Sequence, residues 1–141
     1  MIFWDASALV SLCVDETATP DLRKLAKDRD IVTWSISRVE IASAIERRTR
    51  EGEFRPADRQ RALAALAELA EAWTEVQAVA PVCERAVRLL ALHTLRAADA
   101  MQLAAALVAV ADRPRGHDFV CMDLRLREAA AREGFRVVPA I

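Results

Sequence analysis

The chain has 141 residues, of which 54% are hydrophobic and 29% charged, and its net charge is −1. This length and composition predict a single folded domain over residues 1–141 and exclude a disordered chain, because enough apolar side chains are present to build a core. The balanced charge argues against an evenly basic, nucleic-acid-coating surface, but it allows a local basic patch beside an acidic site.

Hydrophobic periodicity predicts short strands that alternate with helices. Pro56 and Pro81 fit first helical turns, and Gly52 and Gly134 fit helix ends. In chain order, the predicted elements are strand 2–4, helices 6–14 and 20–28, strand 31–34, helices 37–51 and 56–73, strand 76–79, helices 81–93 and 97–111, strand 119–122, helix 124–132 and strand 136–138.

Short strands separated by helices predict an α/β fold, with a central parallel sheet of about five strands covered by helices on both faces. In such sheets, ligands bind beyond the carboxyl ends of the strands. We therefore expect the functional residues at that edge.

The cysteines and the apolar segments indicate the compartment. Cys13, Cys83 and Cys121 are odd in number and lack metal-ligand spacing, so we expect buried thiols in a reducing cytoplasm. The first residues lack the basic segment of a secretory signal. The longest apolar run, residues 103–111, is far shorter than the roughly 20 residues that span a bilayer, which predicts no membrane association.

Two acidic residues follow predicted strands. Asp5 comes directly after the first strand and Asp123 directly after strand 119–122. Both are therefore expected at the functional edge of the sheet. An aspartate in this position is also a common N-cap of the following helix, and the sequence leaves both roles open for each residue.

Asp99 lies in an unusual helix. Asp99 and Gln102 are the two polar residues of segment 97–111, so this helix is expected to be buried nearly all round. A charged carboxylate in such a helix requires a partner, a metal ion or a proton. The alternatives are a favourable position at the helix start or a salt bridge to Arg96.

Glu40 has two interpretations. With Ser37 it forms the Ser-x-x-Glu pattern of a capping box, in which the glutamate bonds back to the backbone of the helix start. Alternatively, it faces the sheet edge with the three aspartates. Four converging carboxylates would repel one another, whereas Mg²⁺ or Mn²⁺ would bind their oxygens and promote phosphodiester hydrolysis.

Four segments of the sequence resemble the motifs of a known family, and each segment contains one acidic residue at the corresponding position. They are residues 5–10 (DASALV), 37–41 (SRVEI), 95–104 (LRAADAMQLA) and 119–126 (FVCMDLRL). In order and spacing they resemble the motifs of the PIN domain, most closely the VapC-type toxins of bacterial toxin–antitoxin pairs. The resemblance covers essentially the whole chain. It departs from the family at Cys121, where threonine is frequent, and at Gln102, where histidine is frequent.

The resemblance implies a metal-dependent endoribonuclease that uses Mg²⁺, with Mn²⁺ as a substitute. Asp5 and Asp99 would hold the metal, and Glu40 and Asp123 would complete the acidic quartet. The supporting residues would be Ser7 and Arg96. The implied partners are an RNA substrate, a VapB-type protein antitoxin and a second copy of the chain in a homodimer.

Two other classes of function stay open at this point. A receiver-like signalling module also has an acidic pocket, although its characteristic lysine is missing here, since Lys24 and Lys27 both fall in helix 20–28. A PIN-like module could also bind without catalysis. Other chemistry is unsupported, because no phosphate-binding glycine loop or nucleophile elbow occurs. His93 and His117 are expected at the surface or in loops.

Overall fold

The fold is built on five parallel strands. The computed structural model describes residues 1–14 and 19–141. The strands are β1 (Ile2–Trp4), β2 (Val32–Trp34), β3 (Thr74–Val76), β4 (Asp118–Val120) and β5 (Arg136–Val138), in the order β3-β2-β1-β4-β5. The helices are α1 (Ala6–Cys13), α2 (Thr19–Asp28), α3 (Ser37–Arg50), α4 (Pro56–Ala72), α5 (Val79–Leu92), α6 (Ala97–Ala109) and α7 (Leu124–Glu133). The predicted α/β class and parallel sheet are confirmed.

Strand β1 lies at the centre of the sheet and divides the core in two. It pairs in parallel with β2 at Phe3↔Val32 and with β4 at Trp4↔Val120. Because successive side chains of a strand point to opposite faces, Phe3 belongs to one buried cluster and its neighbours Ile2 and Trp4 to the other. Residues of α5, α6 and α7 fill the first cluster, whereas α1, α3 and α4 contribute to the second. The sheet is therefore covered on both faces.

The structure corrects several predicted boundaries. Strand β3 is Thr74–Val76 rather than 76–79, because its register is set by pairing with β2. Helix α5 begins at Val79, which leaves Pro81 in the first turn, where a missing N–H costs no helical hydrogen bond. Strand β4 ends at Val120 rather than 122.

Several predictions about single residues are also tested. The three tryptophans, at 4, 34 and 73, are buried. Cys13 and Cys121 are buried, but Cys83 is exposed, so the expectation of three buried thiols was wrong for this residue. His93 was expected at the surface or in a loop; it follows the end of α5, and its side chain is 7% exposed and lies 2.6 Å from the Glu133 carboxylate. Among the residues described, no helix combines the length and apolar character needed to cross a bilayer.

Asp118, at the start of β4, stabilises the edge of the sheet where the strands begin. Its buried carboxylate accepts hydrogen bonds from Arg136 Nε at 2.6 Å and Nη2 at 2.7 Å, and it also pairs with Arg29. The hydrogen bonds from Arg136, and then those from Arg29, hold the pKa of Asp118 below its usual value.

We expect Asp118→Asn to lower the free energy of unfolding by about 1–3 kcal/mol, because it removes charge-assisted hydrogen bonds from a buried site. Urea denaturation at neutral pH measures the loss. The lowered pKa means that this stabilisation is present above the ordinary aspartate pKa of 3.8 and is lost as the pH falls below it. Equal stability of the two proteins at neutral pH would contradict this role.

Candidate active site

The structure brings the four predicted acids to one edge of the sheet. Asp5 follows β1 and Asp123 follows β4, the neighbouring strand. Glu40 and Asp99 lie in the first turns of α3 and α6. Burial raises the pKa of Glu40 and of Asp99; repulsion from Asp5 and Asp99 adds to the first shift and repulsion from Asp123 to the second, so each acid interacts electrostatically with at least one other.

Asp5 is the most buried of the four acids, at 2% exposure. Its Oδ2 accepts hydrogen bonds from Ser7 N at 3.1 Å, from the Ser7 hydroxyl and from Cys121 Sγ at 3.5 Å. It is therefore the N-cap of α1, as one of the two interpretations held. These bonds within the described residues all use Oδ2, so Oδ1 is left for another ligand. Burial raises the pKa of Asp5 to about 6, against the lowering effect of Ser7.

Ser7 and Cys121 join the first acid to the loop that carries the fourth. The Ser7 hydroxyl oxygen accepts from Met122 N at 3.1 Å and lies 3.7 Å from Cys121 Sγ. The Cys121 thiol in turn lies 3.5 Å from the carbonyl oxygen of Asp123. The thiol thus occupies a bridging position between the segments of Asp5 and Asp123. The expected support of Asp5 by Ser7 has a geometric basis, while its role in catalysis stays a prediction.

Glu40 does not form the capping box. The N-cap of α3 is Ile36, and Ser37 is already the first helical residue, with its hydroxyl bonded away from the helix start. The Glu40 carboxylate instead accepts a hydrogen bond from Gln102 Nε2 at 2.8 Å. Burial raises the pKa of Glu40 to about 7; Gln102 opposes this shift, and Asp5 and Asp99 add to it. The capping interpretation was therefore wrong, and Glu40 faces the acidic cluster.

Asp99 and Asp123 line an open cleft of about 450 Å³. Burial and repulsion from Asp123 raise the pKa of Asp99, and Arg96 partly opposes them. No ion pair joins Asp99 to Arg96 in the described parts of the chain. Asp123 Oδ1 accepts from Leu126 N at 3.0 Å, so this exposed acid caps α7. The other cleft residues are Thr94, Leu95, Arg96, Met122, Leu124 and Arg125.

The donor chemistry of this site fits a hard divalent cation. All four groups are carboxylates, and burial with mutual repulsion raises the pKa of three of them, which a cation would reverse. In residues 1–14 and 19–141, no three acidic, histidine or cysteine side chains already stand in a metal-binding arrangement. The metal-binding roles of Asp5 and Asp99 therefore stay predictions that rest on donor type and charge.

The sequence did not predict how the polar residues behind Glu40 are connected. Thr33, Ser37 and Gln102 are each 0% exposed and are hydrogen-bonded to one another in series. One signal was present, since Gln102 is a polar residue in an otherwise apolar helix. The role of Gln102 depends on its contact with Glu40, which is 62 positions away in the sequence, so no local pattern could predict it.

These features define the protein as an α/β domain with a carboxylate-rich site at the edge of a parallel sheet. The family model of the PIN domain matches residues 2–132, and the chain therefore belongs to the PIN domain family. Members of this family are typically nucleases and generally use divalent metals. Comparison with curated proteins gave no match.

The family membership and the strand order remove one alternative. Receiver modules have the flavodoxin-like order 2-1-3-4-5, in which the third strand lies beside the first. Here β4 lies beside β1, and β3 is at the far edge of the sheet. The receiver-like interpretation was therefore wrong, whereas a PIN domain without catalysis is still to be tested by experiment.

The raised pKa values predict how the metal-free protein responds to pH. The folded state binds protons at Asp5 and Glu40 more tightly than the unfolded state, with pKa values of about 6 and about 7 against 3.8 and 4.5. Stability should therefore fall as the pH rises from about 4.5 to about 7, and Mg²⁺ should restore it. Thermal unfolding in chelator across this range measures the effect. A melting temperature that rises over the same interval would contradict it.

Proposed function

We propose that this protein is a Mg²⁺-dependent endoribonuclease that hydrolyses RNA phosphodiester bonds, with Mn²⁺ as a substitute ion. The observation that carries the proposal is the meeting of four carboxylates, from β1, α3, α6 and the end of β4, at one sheet edge. Burial raises the pKa of three of them. Concentrated negative charge of this kind is costly for a fold, and a bound cation that serves phosphoryl chemistry accounts for it.

Each acid has a distinct position in the proposed mechanism. Asp5 and Asp99 would hold the cation, which when bound would supply an activated water and neutralise charge on the phosphate. Glu40, fixed by Gln102, and Asp123, at the open cleft, orient the water and the leaving group. Capping by Oδ2 keeps Asp5 in a fixed orientation and leaves Oδ1 for the cation.

Two arginines suit the binding of RNA beside the acids. Arg96 and Arg125 line the same cleft as Asp99 and Asp123. Guanidinium groups bind phosphate through paired, charge-assisted hydrogen bonds. Arg96 and Arg125 would therefore hold the phosphates that flank the cleaved bond, while the acids act on that bond.

The same proposal includes the biological role of a toxin in a VapBC-type pair, acting in the cytoplasm as a homodimer with a VapB-type antitoxin. An arginine or lysine of the antitoxin would replace the cation against Asp5, Glu40 and Asp99. Ala62 and Leu66 of α4 are buried in the protein's own core, and Leu63, Leu69 and Ala70 pack against it. Large exposed apolar side chains occur instead at Val87, Leu90 and Leu92, which are on α5.

The activity is tested with the purified chain and a structured RNA in Mg²⁺. Asp5→Asn is the matched control, because asparagine is as good an N-cap as aspartate and keeps α1 in place while removing the charge. We expect cleavage by the wild type and none by the variant. RNA binding without cleavage by the wild type would instead establish a non-catalytic PIN module.

The toxin role has its own test in growing cells. Expression of the wild-type chain should slow growth, expression of Asp5→Asn should not, and a co-expressed antitoxin from a neighbouring gene should restore growth. A soluble wild-type chain that cleaves RNA in vitro but is harmless when well expressed would contradict the toxin role and leave the nuclease activity standing.

A further inference from the structure

A continuous series of buried hydrogen bonds joins Glu40 to the central strand of the sheet. Gln102 Nε2 contacts Glu40 Oε2 at 2.8 Å and Ser37 Oγ at 3.0 Å. The Ser37 hydroxyl lies 2.7 Å from that of Thr33, which lies 2.7 Å from the carbonyl oxygen of Trp4. Trp4 is the residue before Asp5. The series therefore connects three of the four segments that carry the acids.

The direction of these hydrogen bonds is determined at the Trp4 end. A carbonyl oxygen only accepts, so the single hydroxyl hydrogen of Thr33 is donated to Trp4. Ser37 must then donate its own hydrogen to Thr33, which leaves the Ser37 oxygen as an acceptor. Gln102 therefore has to present its NH₂ group to Ser37, and the same NH₂ group donates to Glu40.

The opposite orientation of the amide is excluded by the same reasoning. It would place the Gln102 carbonyl oxygen against the Ser37 oxygen, whose hydrogen is already used, and against the Glu40 carboxylate. In the observed orientation, Gln102 Oε1 is buried without a hydrogen-bond partner among the residues described. The polar contacts of this amide within the described residues are therefore the two hydrogen bonds that its NH₂ group donates.

We propose that Gln102 is a positioning residue for the active site: the series from Trp4 through Thr33 and Ser37 fixes its amide so that it holds the Glu40 carboxylate beside Asp99. Gln102 lies one turn after Asp99 on α6, and Glu40 lies on α3. One side chain thus fixes the distance between two acids on different helices. This inference rests on the proposed metal-dependent nuclease function.

The test uses one variant at each end of the series. Gln102→Leu removes the donors at similar volume. Thr33→Val keeps the shape of the side chain but removes the acceptor of the Ser37 hydrogen, so Ser37 no longer fixes which end of the Gln102 amide faces Glu40. Thr74→Val makes the same substitution on an exposed residue of the edge strand β3 and serves as control. Thr33→Ser restores the hydroxyl.

Two quantities are measured on protein shown to be folded: the affinity for Mn²⁺ alone, by calorimetry, and the kinetics of RNA cleavage. We expect Gln102→Leu and Thr33→Val to weaken Mn²⁺ binding or to lower kcat by about 10- to 100-fold, the usual effect of losing a group that orients a metal ligand. KM for RNA should stay unchanged, Thr33→Ser should recover the loss, and Thr74→Val should show none.

The outcomes separate this inference from the proposed function. A wild type that binds no Mn²⁺ and cleaves no RNA would overturn both. A wild type that is active, with Thr33→Val and Gln102→Leu matching it in Mn²⁺ affinity and kcat, would overturn the positioning role alone. If Gln102→Leu does not fold, Thr33→Val decides, because it changes no group in contact with Glu40.

Discussion

Asp99→Asn is expected to lower RNA cleavage by about 100- to 1000-fold, the scale on which single electrostatic contacts stabilise a transition state. The substitution keeps the size of the side chain in the first turn of α6 and removes the charge that would hold the cation. Burial and repulsion from Asp123 raise the pKa of Asp99, so its charge destabilises the metal-free fold. The variant should therefore melt at a higher temperature than the wild type in chelator at neutral pH.

Asp28→Asn is the matched control for this experiment. Asp28 is an exposed residue that ends α2, shortly before the start of β2, and thus lies at the sheet edge away from the acids. The Asp28→Asn substitution should leave both the rate of RNA cleavage and the melting temperature unchanged. If Asp99→Asn folds and cleaves RNA at the wild-type rate, Asp99 is not part of the active site. If the variant unfolds but keeps residual specific activity, the role of Asp99 is structural.

Removal of divalent cations is expected to abolish cleavage entirely, and Mg²⁺ or Mn²⁺ should restore it while Zn²⁺ should not. The four candidate ligands are carboxylates, which suit hard cations, whereas zinc sites in proteins are usually built from cysteine and histidine. Cleavage assays in chelator, followed by addition of each ion in excess, measure this directly.

The nearest thiol does not change that expectation. Cys121 lies beside Asp5, but burial raises its pKa far above the ordinary value, so it stays protonated and is a poor zinc ligand at neutral pH. Full cleavage in excess chelator would contradict the metal mechanism. Equal rescue by Zn²⁺ would contradict the assignment of an oxygen-only site.

The sequence predicted those parts of the fold that depend on local patterns. Helix α4 begins at Pro56 as expected, and α7 ends at Gly134 in a left-handed conformation, because proline and glycine act on the backbone where they stand. Strand β3 was misplaced because its limits come from pairing with β2, across residues distant in sequence. Local patterns carry no information about such pairing.

The acids themselves were predictable, whereas their partners were not. Asp5 and Asp123 follow strands, and Asp99 breaks an apolar helix, so each is visible in the sequence alone. The Ser37–Glu40 spacing, by contrast, fits a helix cap and an active-site acid equally well. The helix start at Ile36 and the contact with Gln102 distinguish them, and that contact depends on how α3 and α6 pack in three dimensions.

The pairing of β1 with β4 has a consequence for the synthesis of the protein. These strands meet at Ile2↔Asp118, so the middle of the sheet closes only when residues more than a hundred positions apart are both present. Asp123, which lies between β4 and α7, leaves the ribosome long after Asp5. A nascent chain that still lacks this segment holds at most three of the acids and an open sheet. The proposed nuclease activity would therefore be absent until translation of the acidic site is complete, so the nascent chain would not cleave the messenger or the ribosome that produce it.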